Sequence, residues 1–507
     1  MLKRRTLIGT AMAAAIPGTF LPLAQAQTGK NMLAIGMALE PPGLDPTTGA
    51  ASAIAEIVQY NVFETLTKIN PDGSVTPLLA ESWTVSPDLK THTFKLHKGV
   101  KFENGEPFHA ATVNSARRAI GENFDGPWGA TTALERGRLL TRLSAAVHQH
   151  HEELAQLEAR DTGKALRVAR NDATALARYM EYYAGACDKL HGDTLPYERG
   201  YTVLTVRVPH GVTGHIIPWN YPMQIAGRSV GAALAAGNAC VVKPAEDASL
   251  SLLRLAEIAS EVGLPAGALN VITGYGSEAG AALCAHRGID HISFTGSSAT
   301  GRSVGLAAAE RHCPVTLELG GKSPQIVFAD ADLDAAVPVL LNAIIQNAGQ
   351  TCSAGSRVLV ERPVYADVMQ RLAERFSAVR AGPPADDLDM GPLINEKQFR
   401  QVRAMVAAAE AQGLTVAARG TVVPHASASG YYQEAVLFRD VPADSELAQR
   451  EVFGPVLAVT PFADEAEAVR LANGTDFGLV AGVWTRDGAR QLRMAAGLRP
   501  GTVVIDC

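Results

Sequence analysis

Short apolar runs alternate with stretches of helical periodicity along most of this chain, and that alternation restricts the fold more than any other feature. Residues 203–208 alternate as a strand, and 240–242, 269–273, 291–294 and 324–328 are further strand-like runs. Residues 249–262 read as a helix stopped by Gly263. Upstream, Leu139, Leu140, Leu143, Val147, Leu154 and Leu157 recur at helical spacing before Gly163. Strand–helix–strand units at this spacing predict an α/β fold with a doubly wound sheet.

The pattern differs before residue 124. Residues 31–123 read as short strands separated by turns, with a turn at Asp72-Gly73 and with Trp83 and Phe102 as core aromatics. No catalytic grouping occurs there. Lys3, Arg4 and Arg5 precede an apolar run over 7–23 and a small-x-small sequence at Ala24-Gln25-Ala26, which predicts a secretory signal over residues 1–26, with Arg4-Arg5 of twin-arginine type. No later stretch is long and apolar enough for a membrane span. A net charge of −6, with its only basic cluster at the N-terminus, argues against a nucleic-acid partner. The 6 cysteines are scattered without C-x-x-C spacing, which argues against a zinc cage and suits a reducing compartment.

Three residue types carry the candidate chemistry. Cys352 lies among small residues in NAGQTCSAG; a lone cysteine is ordinarily an inert core residue, but an approachable thiolate is a nucleophile. Glu318, in LELGGKSP, ends an apolar run and is either a surface cap or a general base. Asn220, in IIPWNYPM, is either a turn-former or a donor to a developing oxyanion. Gly274-Tyr275-Gly276 departs from G-x-G-x-x-G by one residue, since the next glycine is Gly280. Gly296 and Ser297 follow a strand and open a helix, where backbone N–H groups meet phosphates. Lys243 and Glu246 end another strand, within reach of ribose hydroxyls. Lys322 reads as a solvated or packing lysine, and Tyr221 and Met223 as core or as walls of an apolar tunnel.

Taken in order, IIPWNYP, GNACVVKPAE, LPAGALNVITGYG, FTGS, LELGGKSP, GQTCSAGSR and EVFGPVLAV resemble the NAD(P)-dependent aldehyde dehydrogenase superfamily over residues 124–505. The resemblance implies a Rossmann-type NAD-binding domain over 124–316, carrying an oligomerisation hairpin at 194–208, and an α/β catalytic domain over 317–507. It implies oxidation of an aldehyde to a carboxylic acid. Cys352 is then the nucleophile, Asn220 an oxyanion donor and Glu318 the base that activates water. Ile217, Pro218, Trp219, Lys243, Glu246, Gly276, Gly296, Ser297, Glu451 and Phe453 are implied to bind the cofactor; no metal is implied. The carboxylate of Glu246 disfavours a 2′-phosphate, so NAD is expected rather than NADP.

Strings such as NVFETL, PLLAESW and FKLHKGVKFENGEPFHAATV resemble instead the periplasmic oligopeptide/nickel-type solute-binding proteins of ABC transporters, over residues 27–123. The enzyme part lacks the family's opening strands and its closing Pro-Phe-Gly-Gly-type segment and oligomerisation strand. The expectation is therefore a truncated, fused chain, with an exported solute-binding component or an inactive hybrid as the alternative functions. The signal implies the periplasm and the enzyme chemistry the cytoplasm. The family is usually homo-oligomeric, and the chain as read lacks the strand that completes its interface.

Overall fold

The computed structural model describes residues 108–506, together with the backbone of four short strands. The expected signal over 1–26, most of the solute-binding-like segment and the side chains of Trp83 and Phe102 lie outside the described residues. The four strands pair antiparallel, Thr67–Ile69 with Val75–Pro77 on either side of the Asp72-Gly73 position, and Ala80–Val85 with His92–Leu96. They fall in a compact unit of their own, Met1–Val100, and the remaining chain forms a second unit from Lys101.

The second unit holds two large sheets and, among the described residues, two two-stranded pairings. In the first, β1 (Val212–Ile217), β2 (Ala239–Pro244), β3 (Leu269–Val271), β4 (His291–Thr295) and β5 (Val315–Glu318) are parallel and ordered β5-β4-β1-β2-β3. β1 and β2 are buried almost throughout, as strands covered on both faces must be, and β1 carries the buried polar residues Thr213 and His215. The chain leaves β1 toward β2 and later returns to β1's other side with β4, so the sheet has a topological switch point between β1 and β4. The second sheet orders β8 (Thr415–Arg419), β9 (Val436–Arg439), β10 (Val456–Phe462), β7 (Arg357–Glu361), β6 (Pro324–Val327), β11 (Val480–Trp484) and β12 (Thr502–Ile505); only the β8–β9 pair is antiparallel.

Helices α1 (Phe108–Ile120), α2 (Ala133–Gln149), α3 (His151–Thr162), α4 (Leu166–Ala186), α5 (Pro222–Ala235) and α6 (Leu250–Glu261) accompany the first sheet. The leucines read as one helical stretch belong to α2 and α3, and Gly163 ends α3 in the left-handed region at φ 75°. Val113, Ala116, Ala119 and Ile120 of α1 share one core with Trp128, Leu139 and Leu140, so the packed unit extends upstream of Phe124. The expected strand at 203–208 is shorter: Val203–Leu204 pairs with Thr194–Leu195 and then ends, with Val206 at 75% and Val208 at 74% exposure and no strand beside them among the described residues.

Among the described residues no helix is long and apolar enough to cross a membrane, and no group of three or more His, Cys, Asp or Glu is placed to hold a metal.

Candidate active site

Every sequence-singled residue of the first sheet stands at or just past the carboxyl end of a parallel strand. Ile217 closes β1, Lys243 is the penultimate residue of β2, Gly276 follows β3, Gly296 and Ser297 follow β4, and Glu318 closes β5. Ligands of open parallel sheets bind at this edge, because strands and their following helices present backbone N–H groups there. Ser297 caps α7 (Ser298–Ala309), its Oγ accepting from the Thr300 N–H at 3.3 Å. Lys243 Nζ, buried, donates to Glu246 Oε2 at 3.1 Å, while Glu246 itself is exposed. A Cβ built on Gly276 would meet nothing within 4 Å, so this turn opens onto free space.

Cys352 sits beyond α8 (Leu333–Ile345), in a turn prepared by unusual backbone. Asn347 (φ 49°), Ala348 (φ 53°) and Gly349 (φ 74°) are all left-handed, two of them non-glycine, a conformation that costs about 1–3 kcal/mol per residue and clusters at functional sites. The turn is held from outside: a Cβ on Gly349 would lie 2.2 Å from the Gly454 carbonyl, so this glycine permits the approach of the Phe453-Gly454-Pro455 segment. Trp219 meets Phe453 edge-on, ring centroids 5.4 Å apart.

Two contacts bring distant segments to the Cys352 turn. Asn220 is buried and its side-chain amide donates to the Gln350 carbonyl at 2.9 Å, two residues before Cys352. An amide nitrogen carries two hydrogens, and the second is given to no described residue. On the other side, Gly321 packs against Cys352 so closely that a Cβ there would stand 2.2 Å from the Cys352 carbonyl oxygen. Gly320 is similarly pressed on the Glu451 carboxylate, whose Oε1 accepts the Gly321 N–H at 3.0 Å. The Gly320-Gly321 step thus passes between Cys352 and Glu451, and Glu318 closes β5 two residues before Gly320. Glu318 is half-buried and its carboxylate makes no hydrogen bond to a described residue.

Burial pushes the Cys352 thiol above its ordinary range; the Arg228 guanidinium opposes this, and the Glu451 carboxylate reinforces it. Burial likewise raises Glu451, against the Gly321 N–H and the Lys322 charge. Lys322 is not solvated. It is 1% exposed, its Nζ has no hydrogen-bond partner, and burial, with Arg357 nearby, lowers it to about 7. Met223 is core, fully buried, whereas the Tyr221 hydroxyl reaches Thr351 Oγ1 at 2.8 Å beside the thiol.

A buried charge cluster under Asn220 has no counterpart in the sequence reading. Lys164 Nζ donates to Glu158 Oε1 at 2.8 Å, to Asp172 Oδ2 at 2.5 Å and to the Asn220 carbonyl at 2.9 Å. Asn347 Nδ2 donates to the same carbonyl at 3.0 Å. Burial and the neighbouring Asp172 charge raise the Glu158 carboxyl, with Lys164 opposing. Despite its burial, Lys164 is held above its ordinary value by the two carboxylates. The only hint in the sequence is a lysine just past a helix-ending glycine, a position that is ordinarily solvated.

Residues 92–507 match the sequence profile of the aldehyde dehydrogenase family. The chain is 43% identical over 443 residues to a hydroxyisobutyraldehyde dehydrogenase of Mycolicibacterium austroafricanum, covering 84% of this chain and 87% of that protein. It is similar to a crystal structure from Burkholderia cenocepacia, with 63% identity and a TM-score of 0.77 over 84% of this chain and 90% of that one. The NAD+ complex of aldehyde dehydrogenase from Bacillus cereus is 42% identical with a TM-score of 0.76, over 78% of this chain and 80% of that one.

Proposed function

The chain belongs to the aldehyde dehydrogenase family, and on that premise we propose that it oxidises an aldehyde to the carboxylic acid with NAD, using Cys352 as nucleophile. The observation that carries the reading is the Asn220 amide fixed on the Gln350 carbonyl, two residues before Cys352, with its second N–H given to no described residue. As Cys352 Sγ adds to the aldehyde carbon, charge develops on the carbonyl oxygen. The Asn220 N–H stabilises that charge, and because it is already anchored it needs no reorganisation at the moment of reaction. The thiol loses its proton before or during attack, and the Arg228 charge and the N–H groups of Cys352 and Ser353 favour the thiolate.

NAD, when bound, accepts the hydride that leaves the tetrahedral carbon and so turns the adduct into a thioester. Glu318, with a free carboxylate, takes a proton from the water that hydrolyses this thioester. The residues at the sheet edge fit such a dinucleotide. Gly296 and Ser297 at the start of α7 meet the pyrophosphate, and Gly276 leaves room for the adenosine half. Lys243 and Glu246 hydrogen-bond the adenine ribose. Glu451 takes the nicotinamide ribose, with Ile217, Pro218, Trp219 and Phe453 forming the walls. A carboxylate at Glu246 repels a 2′-phosphate, which favours NAD over NADP. A reduced thiol and a soluble nicotinamide pool suit a reducing compartment.

The test is a spectrophotometric assay of the purified chain with NAD and a panel of small aldehydes, run beside Cys352→Ala. Aldehyde-dependent formation of reduced nicotinamide that vanishes in the variant is the expected result. A folded, NAD-binding protein with no turnover on any aldehyde overturns the reading.

A further inference from the structure

Resting on the function just proposed, we propose that Lys164 is a positioning residue for the attack of Cys352: its ammonium grips the Asn220–Tyr221 peptide from beneath and so holds the Asn220 amide where the oxyanion forms.

Three charged side chains from successive pieces of chain converge under this peptide. Glu158 stands on α3, Lys164 on the connection just after Gly163, and Asp172 on α4, and all three are fully buried. The Lys164 ammonium gives one hydrogen to each carboxylate, and the third goes to the Asn220 carbonyl at 2.9 Å. With its three donors taken, Nζ has no freedom to swing away. The same Nζ lies over the Tyr221 ring, 4.4 Å from its centroid. The carboxylates extend the grip into α5. Glu158 Oε2 accepts the Met223 N–H at 3.1 Å, and Asp172 Oδ1 accepts from Gln224 Nε2. Tyr221 offers α5 no side-chain cap, so Glu158 supplies from another helix the acceptor, and the negative charge, that a helix start favours.

The consequence for Asn220 follows from its two ends. Its carbonyl is held by Lys164 and by Asn347 Nδ2 at 3.0 Å, and its side-chain amide is held on the Gln350 carbonyl at 2.9 Å. A planar peptide pinned at its oxygen fixes the Cα from which the side chain departs, and an amide pinned at one hydrogen directs the other. Asn347 and Gln350 both belong to the turn that leads to Cys352, whereas Lys164 is tied to α3 and α4. Without the ammonium, Asn220 would be held by the nucleophile's turn alone. With it, the oxyanion donor is referenced to the helices that carry the first sheet. Stability does not account for such a cluster. Desolvation offsets the attraction within a buried ion group, so apolar side chains of the same volume are often no less stabilising, and the best-attested use of such groups is to fix one arrangement. Here that arrangement is the placement of Asn220.

A double-mutant cycle of Lys164→Met and Asn220→Ala tests the assignment, read in single turnovers by the appearance of reduced nicotinamide and by NAD affinity. Lys164→Met is expected to slow the single turnover by about ten- to a hundredfold with NAD affinity unchanged, the cost of a displacement of roughly 1 Å at the reacting centre. The double variant is expected to match Asn220→Ala within about twofold, since a residue that acts through Asn220 then has nothing left to position. Lys164→Met/Glu158→Gln loses one unpaired carboxylate yet keeps an acceptor for the Met223 N–H. It is expected to regain stability but not rate, and it replaces Lys164→Met in the cycle if that variant does not fold. A wild-type rate in the folded Lys164 variant, or losses that multiply in the double variant, overturns the positioning role and leaves the dehydrogenase reading intact. A wild-type chain that turns over no aldehyde overturns that reading, and the proposal with it.

Discussion

Lys164→Met is the substitution for which the structure gives the clearest arithmetic. The ammonium has three donors, and all are spent, on Glu158, Asp172 and the Asn220 carbonyl. Methionine fills a similar volume but donates nothing. The Asn220 carbonyl keeps Asn347, Glu158 Oε2 keeps the Met223 N–H at 3.1 Å, and Asp172 Oδ1 keeps Gln224. Glu158 Oε1 and Asp172 Oδ2 lose their cation and are left facing each other with side-chain exposures of 0% and 1%. Removing one partner of a buried pair costs about 3–5 kcal/mol, and that is the expected loss at pH 8. The penalty should shrink at pH 6. Burial already raises Glu158 in the folded state, and removing Lys164 raises it further. A carboxyl whose folded value is raised binds more protons folded than unfolded. Its effect on stability therefore falls away as pH climbs from about 4.3 through the raised value. Lys164, by contrast, is raised, so its stabilisation persists until pH exceeds about 10.4 and does not vary between 6 and 8. Urea unfolding followed by the fluorescence of Trp128, fully buried in the same half, measures both values. Adding Glu158→Gln should recover part of the loss. A penalty below about 1 kcal/mol, or one equal at the two pH values, would refute the reasoning.

Other consequences follow from the site. Asn220→Ala removes the anchored amide, and kcat should fall by about 10²–10³ while NAD affinity, read by fluorescence titration, stays put. Alkylation of Cys352 by iodoacetamide in the absence of NAD should reach half its maximal rate above about pH 8.5, because burial raises the thiol; a midpoint below 7 would contradict that. Gly321→Ala drives a Cβ into the Cys352 carbonyl oxygen, so activity should collapse and stability drop by about 1–3 kcal/mol, measured by paired kinetic and melting experiments.

Much of the fold was legible because the strands of a buried parallel sheet are short runs rich in apolar and β-branched residues set between helical stretches. The strands read at 240–242, 269–273 and 291–294 reappear at Ala239–Pro244, Leu269–Val271 and His291–Thr295, and the glycines at 163 and 263 end helices as expected. The 203–208 run was misjudged in length, since alternation records the residue types of a strand but not whether a partner strand lies alongside. Lys322 shows the same limit: its sequence neighbours are ordinary, and its burial comes from elements remote in the chain.

The sequence alone, through motif order and strand–helix alternation, determined the family, the α/β class and the identity of Cys352, Glu318 and Asn220 as candidates, because those are properties of residue type and spacing. Only the tertiary structure decided what packs around them. The left-handed turn at 347–349, the Gly321 approach to Cys352 and the Lys164 cluster beneath Asn220 each join segments far apart in the chain. Such contacts depend on how helices and sheets pack, and no local pattern of side chains records them.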